Sequence, residues 1–192
     1  VNTTGPTGSG NMSIGFSSAL QSGTISNSSQ TINYNATPAA INCPVATGGD
    51  CGTPTYNYQW QQSTDNVSYS NISGATGQNL SFGSGLSQPM YYRRMVTVVS
   101  TGGSNYSSVA TVNVYPAIQP GSISPATQTI NYSTNASLLT LSGVSGGTNS
   151  YSYQWQSSPK GSARTNIIGA TGTTYTPTSV MATTYFRVMV TT

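Results

Sequence analysis

Cys43 and Cys51 bracket the short loop Pro44-Val-Ala-Thr-Gly-Gly-Asp50, and they are the only thiols in the chain. A paired thiol can ligate a metal, carry redox chemistry or close a disulfide. The chain has no His, and this spacing is not that of a zinc site. A disulfide is therefore the expectation. Closing so short a loop stabilises by roughly 2 to 3 kcal/mol in the chain-entropy account, and it belongs to an oxidising, extracellular compartment. Proton transfer needs a positioned acid or base, and the candidates reduce to Asp50, Asp65 and Lys160. Asp50 falls in the cysteine loop, Asp65 in the turn after a tryptophan-bearing segment, and Lys160 in a Pro-Lys-Gly turn. No second carboxylate stands near either Asp in sequence, so neither a catalytic pair nor a carboxylate-rich calcium site is expected. The reading is a non-enzyme with no metal and no cofactor.

The same scarcity of charge shapes the surface. Charged residues make up 4% of the chain, against roughly a quarter in ordinary globular proteins. Ser, Thr, Asn, Gln and Gly must cover the exterior instead; they hydrate well but do not hold neighbouring molecules apart. The net charge of +3 comes from Arg93, Arg94, Lys160, Arg164 and Arg187 against two Asp. Arg93-Arg94 is the only adjacent basic pair, too little to neutralise a run of phosphates, and nucleic acid is not an expected partner. No apolar run is long enough to span a bilayer, so no membrane insertion is expected in this segment. Thirteen Tyr and strict alternation of side-chain type argue against disorder.

The elements that carry these residues occur twice. Gly23, Ile25, Ser26 and Gln30-Thr-Ile-Asn-Tyr34 return as Gly121, Ile123, Ser124 and Gln128-Thr-Ile-Asn-Tyr132. Tyr58-Gln-Trp60-Gln61 returns as Tyr153-Gln-Trp155-Gln156, and Gly74-Ala-Thr-Gly77 as Gly169-Ala-Thr-Gly172. Tyr91, Arg93, Met95, Val96 and Thr97 return as Tyr185, Arg187, Met189, Val190 and Thr191, and the match then runs on from Val99, Thr101 and Gly103 to Val1, Thr3 and Gly5. A chain that reads through its own ends is expected to be one period of a tandem array. The expected organisation is residues 1–20 as the last-strand region of a preceding domain, 23–116 as a first domain, and 121–192 as a second domain whose last strand comes from the next copy. Met12, Ile14 and Phe16 alternate as Ala110, Val112 and Val114 do, and they are the expected inter-copy strand.

Tyr56-Asn-Tyr58-Gln-Trp60-Gln61 and Tyr151-Ser-Tyr153-Gln-Trp155-Gln156 have period two, which means one buried and one wet face. Trp60, Trp155, Tyr58 and Tyr153 are the expected core, in preference to sugar-stacking platforms. Residues 91–99 and 185–192 form a second strong strand in each repeat. The valines 96 and 98 favour one face as the buried one and Met95 the other; the valine face is the expectation. Further strands are expected at 39–43 and 137–141, and at 80–82 and 173–176. About seven short strands per repeat with glycine-rich turns, and no helical periodicity, predict an all-β fold: two tandem immunoglobulin-like Greek-key β-sandwich domains. Leu141 stands where Cys43 does, so the expected disulfide is local to the first repeat.

Tyr-Gln-Trp-Gln, then Ile-x-Gly-Ala-Thr-Gly, then Thr-Tyr-Phe-Arg-Val, as in 153–188, resembles the tandem immunoglobulin-like (PKD-like) repeats of giant Bacteroidota cell-surface proteins, gliding-motility adhesins among them. The resemblance implies secretion through the outer membrane by the type IX system and a place in an extended cell-surface filament. The expected partners are neighbouring copies of the same repeat. Alternatives are a subunit that exchanges strands with other copies, and a module that binds surface polysaccharide through exposed Tyr69, Tyr106 or Tyr175.

Overall fold

The computed structural model describes residues 15–192, so Met12 and Ile14 lie outside the described residues. As the alternation predicts, the chain is all-β, and its strands pack in sandwich fashion. It parts into two compact units, the second of which contains all of residues 112–192.

In the first repeat the strands are β1 (Ser29–Ile32), β2 (Tyr56–Ser63), β3 (Ser70–Asn71), β4 (Met90–Val98), β5 (Ser104–Tyr106) and β6 (Ala110–Val114). They form one sheet in the order β1-β6-β4-β2-β3, with β5 also on β4. β2 and β4 are antiparallel, Trp60 opposite Arg94 and Tyr58 opposite Val96. β6 lies in the lane between β1 and β4. The Thr111 amide donates to the Ser28 carbonyl at 2.8 Å and the Tyr115 amide to the Ile32 carbonyl at 2.9 Å. The spacing is the same at both bonds, so β1 and β6 run parallel.

The inner face of β4 carries Tyr92, Arg94, Val96 and Val98, all buried; the valine face is the core face. Trp60, Ile41, Cys43, Ala46, Leu80 and Val112 are buried as well. The strand expected at 39–43 is reduced to a single bridge, Ile41 to Leu80. Side chains take over its ladder: Gln30 donates to the Ala39 carbonyl at 3.0 Å and accepts from the Ala39 amide at 2.9 Å, while the Cys43 amide donates to Asn79 Oδ1.

In the second repeat β7 (Ser122–Ser124), β8 (Leu139–Ser142) and β11 (Thr174–Tyr175) form one sheet in the order β11-β8-β7. β9 (Ser152–Pro159), β10 (Thr165–Asn166) and β12 (Thr184–Thr191) form another, β10-β9-β12. The two close on Leu139, Leu141 and Trp155, with Ile123, Tyr153, Tyr175, Phe186, Val188 and Val190 packed against that centre.

Both repeats hold their tryptophan in the same way. Trp60 Nε1 donates to the Gly77 carbonyl at 3.1 Å and Trp155 Nε1 to the Gly172 carbonyl at 2.9 Å, so the buried indole N–H is satisfied. The Trp60 amide donates to Ala75 and its carbonyl accepts from Ile72; Trp155 does the same with Ala170 and Ile167. The Ile-x-Gly-Ala-Thr-Gly motif is thus a clasp around the tryptophan strand. Its turn closes from the Ala75 amide to the Ile72 carbonyl, with Gly74 at φ 73° and Gly169 at φ 76°, a left-handed third position that favours glycine.

Candidate functional site

The two carboxylates stand apart, each already engaged. Asp65 Oδ1 accepts from the Val67 and Ser68 amides at 2.8 Å each and from the Ser63 hydroxyl at 2.7 Å. These bonds, the Val67 amide foremost, hold its carboxyl down at about 2, because they stabilise the charged form. Asp50 accepts from the Ser100 hydroxyl and the Gly52 amide, and its pKa is lowered chiefly by Ser100. Both carboxylates therefore tie down turns. Among the described residues no three of His, Cys, Asp and Glu come together as a metal cluster would require.

The disulfide expectation is corrected. Cys43 and Cys51 are both free; Cys43 is buried and Cys51 exposed. Cys43 occupies a core position, and the equivalent Leu141 is buried too, so the thiol serves there as a small apolar side chain. Its Sγ lies 3.8 Å from the Ser22 carbonyl, and burial pushes its pKa up, against a smaller opposing pull from Arg94.

Arg94 was not legible as a core residue from its type, yet it is fully buried. Its Nη1 donates to the carbonyls of Gln78 at 2.7 Å and Cys43 at 3.3 Å, and its Nη2 to those of Ser22 at 2.7 Å and Pro44 at 2.6 Å. The guanidinium carbon stands 4.2 Å above the Tyr58 ring, and only Nε lacks a partner. Gly23 makes room for this: a Cβ there would sit 2.8 Å from the Pro44 carbonyl oxygen. The parity of Tyr92, Val96 and Val98 was the signal that could have placed Arg94 inside. The second repeat has Val188 at that position.

Arg93, on the outer face, lies 3.9 Å from the centre of the Tyr69 ring and 4.0 Å from that of Tyr106, so those two rings stack on a cation. Its Nε donates to Gln61 Oε1, and Gln61 donates to Asn71 Oδ1, a polar ladder across β4, β2 and β3. Arg187, Gln156 and Asn166 repeat it at 2.7 Å for each bond. Trp60 and Trp155 are fully buried, and Tyr58 and Tyr153 are half-buried beside them.

Among the described residues one side of β12 stands open. In the first repeat β4, its counterpart, has β2 on one side and β5 and β6 on the other, whereas among the described residues β12 pairs with β9 alone. Gln30-Thr-Ile-Asn-Tyr34 includes the end of β1, whereas the identical Gln128-Thr-Ile-Asn-Tyr132 forms no strand. Tyr34 is 44% exposed and Tyr132 76%. Between residues 125–132 and 180–186 runs a groove of about 640 Å³, lined by Ile123, Ile130, Leu139, Val180, Met181 and Phe186 among others. The inward residues of β4 are buried, while those of β12 are covered only in part. Phe16, the member of the expected inter-copy strand within the described residues, is 92% exposed.

A family model for a domain of unknown function (DUF8696) matches residues 21–116 and again 119–192. The chain belongs to this family. No curated protein matches the chain. DUF8696 thus occurs twice here, and both matches contain the tryptophan clasp and the Arg-Gln-Asn ladder. The open lane belongs to the second DUF8696 match, and β6, which fills the corresponding lane of the first, ends inside that first match.

Proposed function

We propose that this chain is a non-catalytic structural repeat unit of an extended extracellular filament or stalk on the cell surface. The observation that carries the reading is the use to which the shared motifs are put. Tyr-Gln-Trp-Gln, Ile-x-Gly-Ala-Thr-Gly and the paired Arg93 and Arg187 are each consumed in holding strands together, in both DUF8696 matches. A surface with so little charge lets like modules lie close without repulsion, which suits serial assembly. The resemblance of the motifs to tandem immunoglobulin-like repeats of giant surface proteins supports export by the type IX route and a part in gliding or adhesion.

Immunogold labelling of intact source cells, with antibody raised against the chain, tests this. Gold in rows along surface fibres is the expected result. Gold confined to the cell interior would overturn the proposal.

A further inference from the structure

The open lane has a shape that the first repeat already shows filled. There β6 lies between β1 and β4, with Ala110 and Val112 buried and Val114 half-buried on the core side. Among the described residues, the same two walls stand in the second repeat without that strand: Gln128-Thr-Ile-Asn-Tyr132 on one side and β12 on the other. One pentapeptide is thus paired in one setting and unpaired in the other, so its neighbour, not its own propensity, decides its state. An edge with free N–H and C=O groups beside an apolar groove is a template for one more strand.

The segment with the right pattern is in the chain. Met12, Ile14 and Phe16 stand at the same distance before the first repeat as Ala110, Val112 and Val114 stand before the second. The structure keeps that equivalence directly downstream. Gln21 bridges Thr47 as Gln119 bridges Ser145, and the Gly49 amide donates to the Ser18 carbonyl as the Gly147 amide does to Pro116. The chain around residue 18 therefore enters the first repeat as the chain after β6 enters the second. Phe16 has no housing in its own repeat.

We infer that the lane between residues 126–132 and β12 is filled by residues 10–18 of a second copy of this chain. The donated strand runs parallel to residues 126–131. It turns Met12, Ile14 and Phe16 inward, with Phe16 at the end of the lane beside Phe186 and Ile130. The two bonds of the first repeat transfer as Ser13 amide to Ala126 carbonyl and Ser17 amide to Ile130 carbonyl. Parallel pairing then sets Ser17 beside Asn131 on the outer face. This names the partner in the filament reading and rests on it only in supposing that copies meet.

Cross-linking decides the matter. Full-length chains carrying Ser17→Cys are mixed with chains carrying Asn131→Cys, both with Cys51→Ser to remove the exposed native thiol, under mild oxidation. A mixed disulfide dimer is expected to form at least tenfold faster than in a control pairing Ser17→Cys with Thr171→Cys, in the turn that clasps Trp155. Adding Ile14→Asp to the donor chain, a change upstream of both folded repeats, is expected to abolish the gain. Equal rates with the control would overturn the inference. So would a bond that forms within a single chain carrying both Ser17→Cys and Asn131→Cys in preference to one between chains. Surface fibres in the labelling experiment without this cross-link remove the strand donation alone; the cross-link together with intracellular label removes the filament reading alone.

Discussion

A guanidinium that meets four carbonyls and no carboxylate is held by dipoles and by the Tyr58 ring. Removing it strands those carbonyls in the interior, where each unpaired polar group costs on the order of 1 to 3 kcal/mol. Arg94→Ala is therefore expected to lower unfolding free energy by about 3 kcal/mol in urea titration, with Arg93→Ala, on the outer face, costing under about 1. Near-equal losses would contradict the burial. The two thiols separate just as clearly. With a soluble disulfide reagent, Cys51 should react in the native state and Cys43 only on unfolding, since Cys43 is buried with a raised pKa. Protection of both until reduction would instead restore the bridge. Asp65 fixes an acid limit. Its folded pKa, about 2, is below its ordinary value, so its contribution is complete above that value and fades as pH falls towards 2. Asp65→Asn should flatten the stability-against-pH curve between about pH 4 and 2 and leave the slope at neutral pH unchanged. Tyr92 acts at the opposite end: burial raises its pKa to about 12, so its share is whole below pH 10 and is lost as pH climbs to 12.

The main strands were legible in the residues: 56–63 and 152–159 overlap the alternating runs 56–61 and 151–156, and 90–98 and 184–191 overlap the β-branched and aromatic segments 91–99 and 185–192. The tryptophan clasp was legible as a repeated motif but not as a contact, because only the fold brings Gly77 to the indole of Trp60. Two things were hidden for a physical reason. Segment 39–43 alternates like a strand, yet Gln30, Gln78 and Asn79 capture its backbone and leave one bridge to Leu80. The cysteines suggested a staple by their spacing, whereas Leu141 in the matching core position already marked Cys43 as packing. The clasp turn gives the test at this scale. Gly169→Ala forces a Cβ into φ 76° and should cost about 1 to 2 kcal/mol, with a red-shifted Trp155 emission where the turn loosens. Unchanged stability and emission would show that the turn is not what holds the strand.

Across the whole molecule the scarcity of charge makes a prediction of its own. Five cations and two anions leave little for salt to screen. If copies associate through backbone pairing and apolar side chains, their apparent association constant by sedimentation should change less than about twofold between 50 and 500 mM salt. A tenfold loss would point to ionic contacts instead. The internal duplication was plain in the residues, and with it the expectation that the second repeat lacks its last strand; that the lane falls beside β12 was not, because an unpaired strand edge reads the same in sequence as a paired one.

The parallel run of β1 and β6 bears on mechanics. In the first repeat β1, early in the sequence, and β6, the last strand, lie side by side and point the same way. Tension drawn through such a module slides these two neighbours lengthwise past each other. Every bridging amide must then give way together, where a hairpin pulled from its open end would part bond by bond. A module pulled through β1 and β6 would therefore resist stretching.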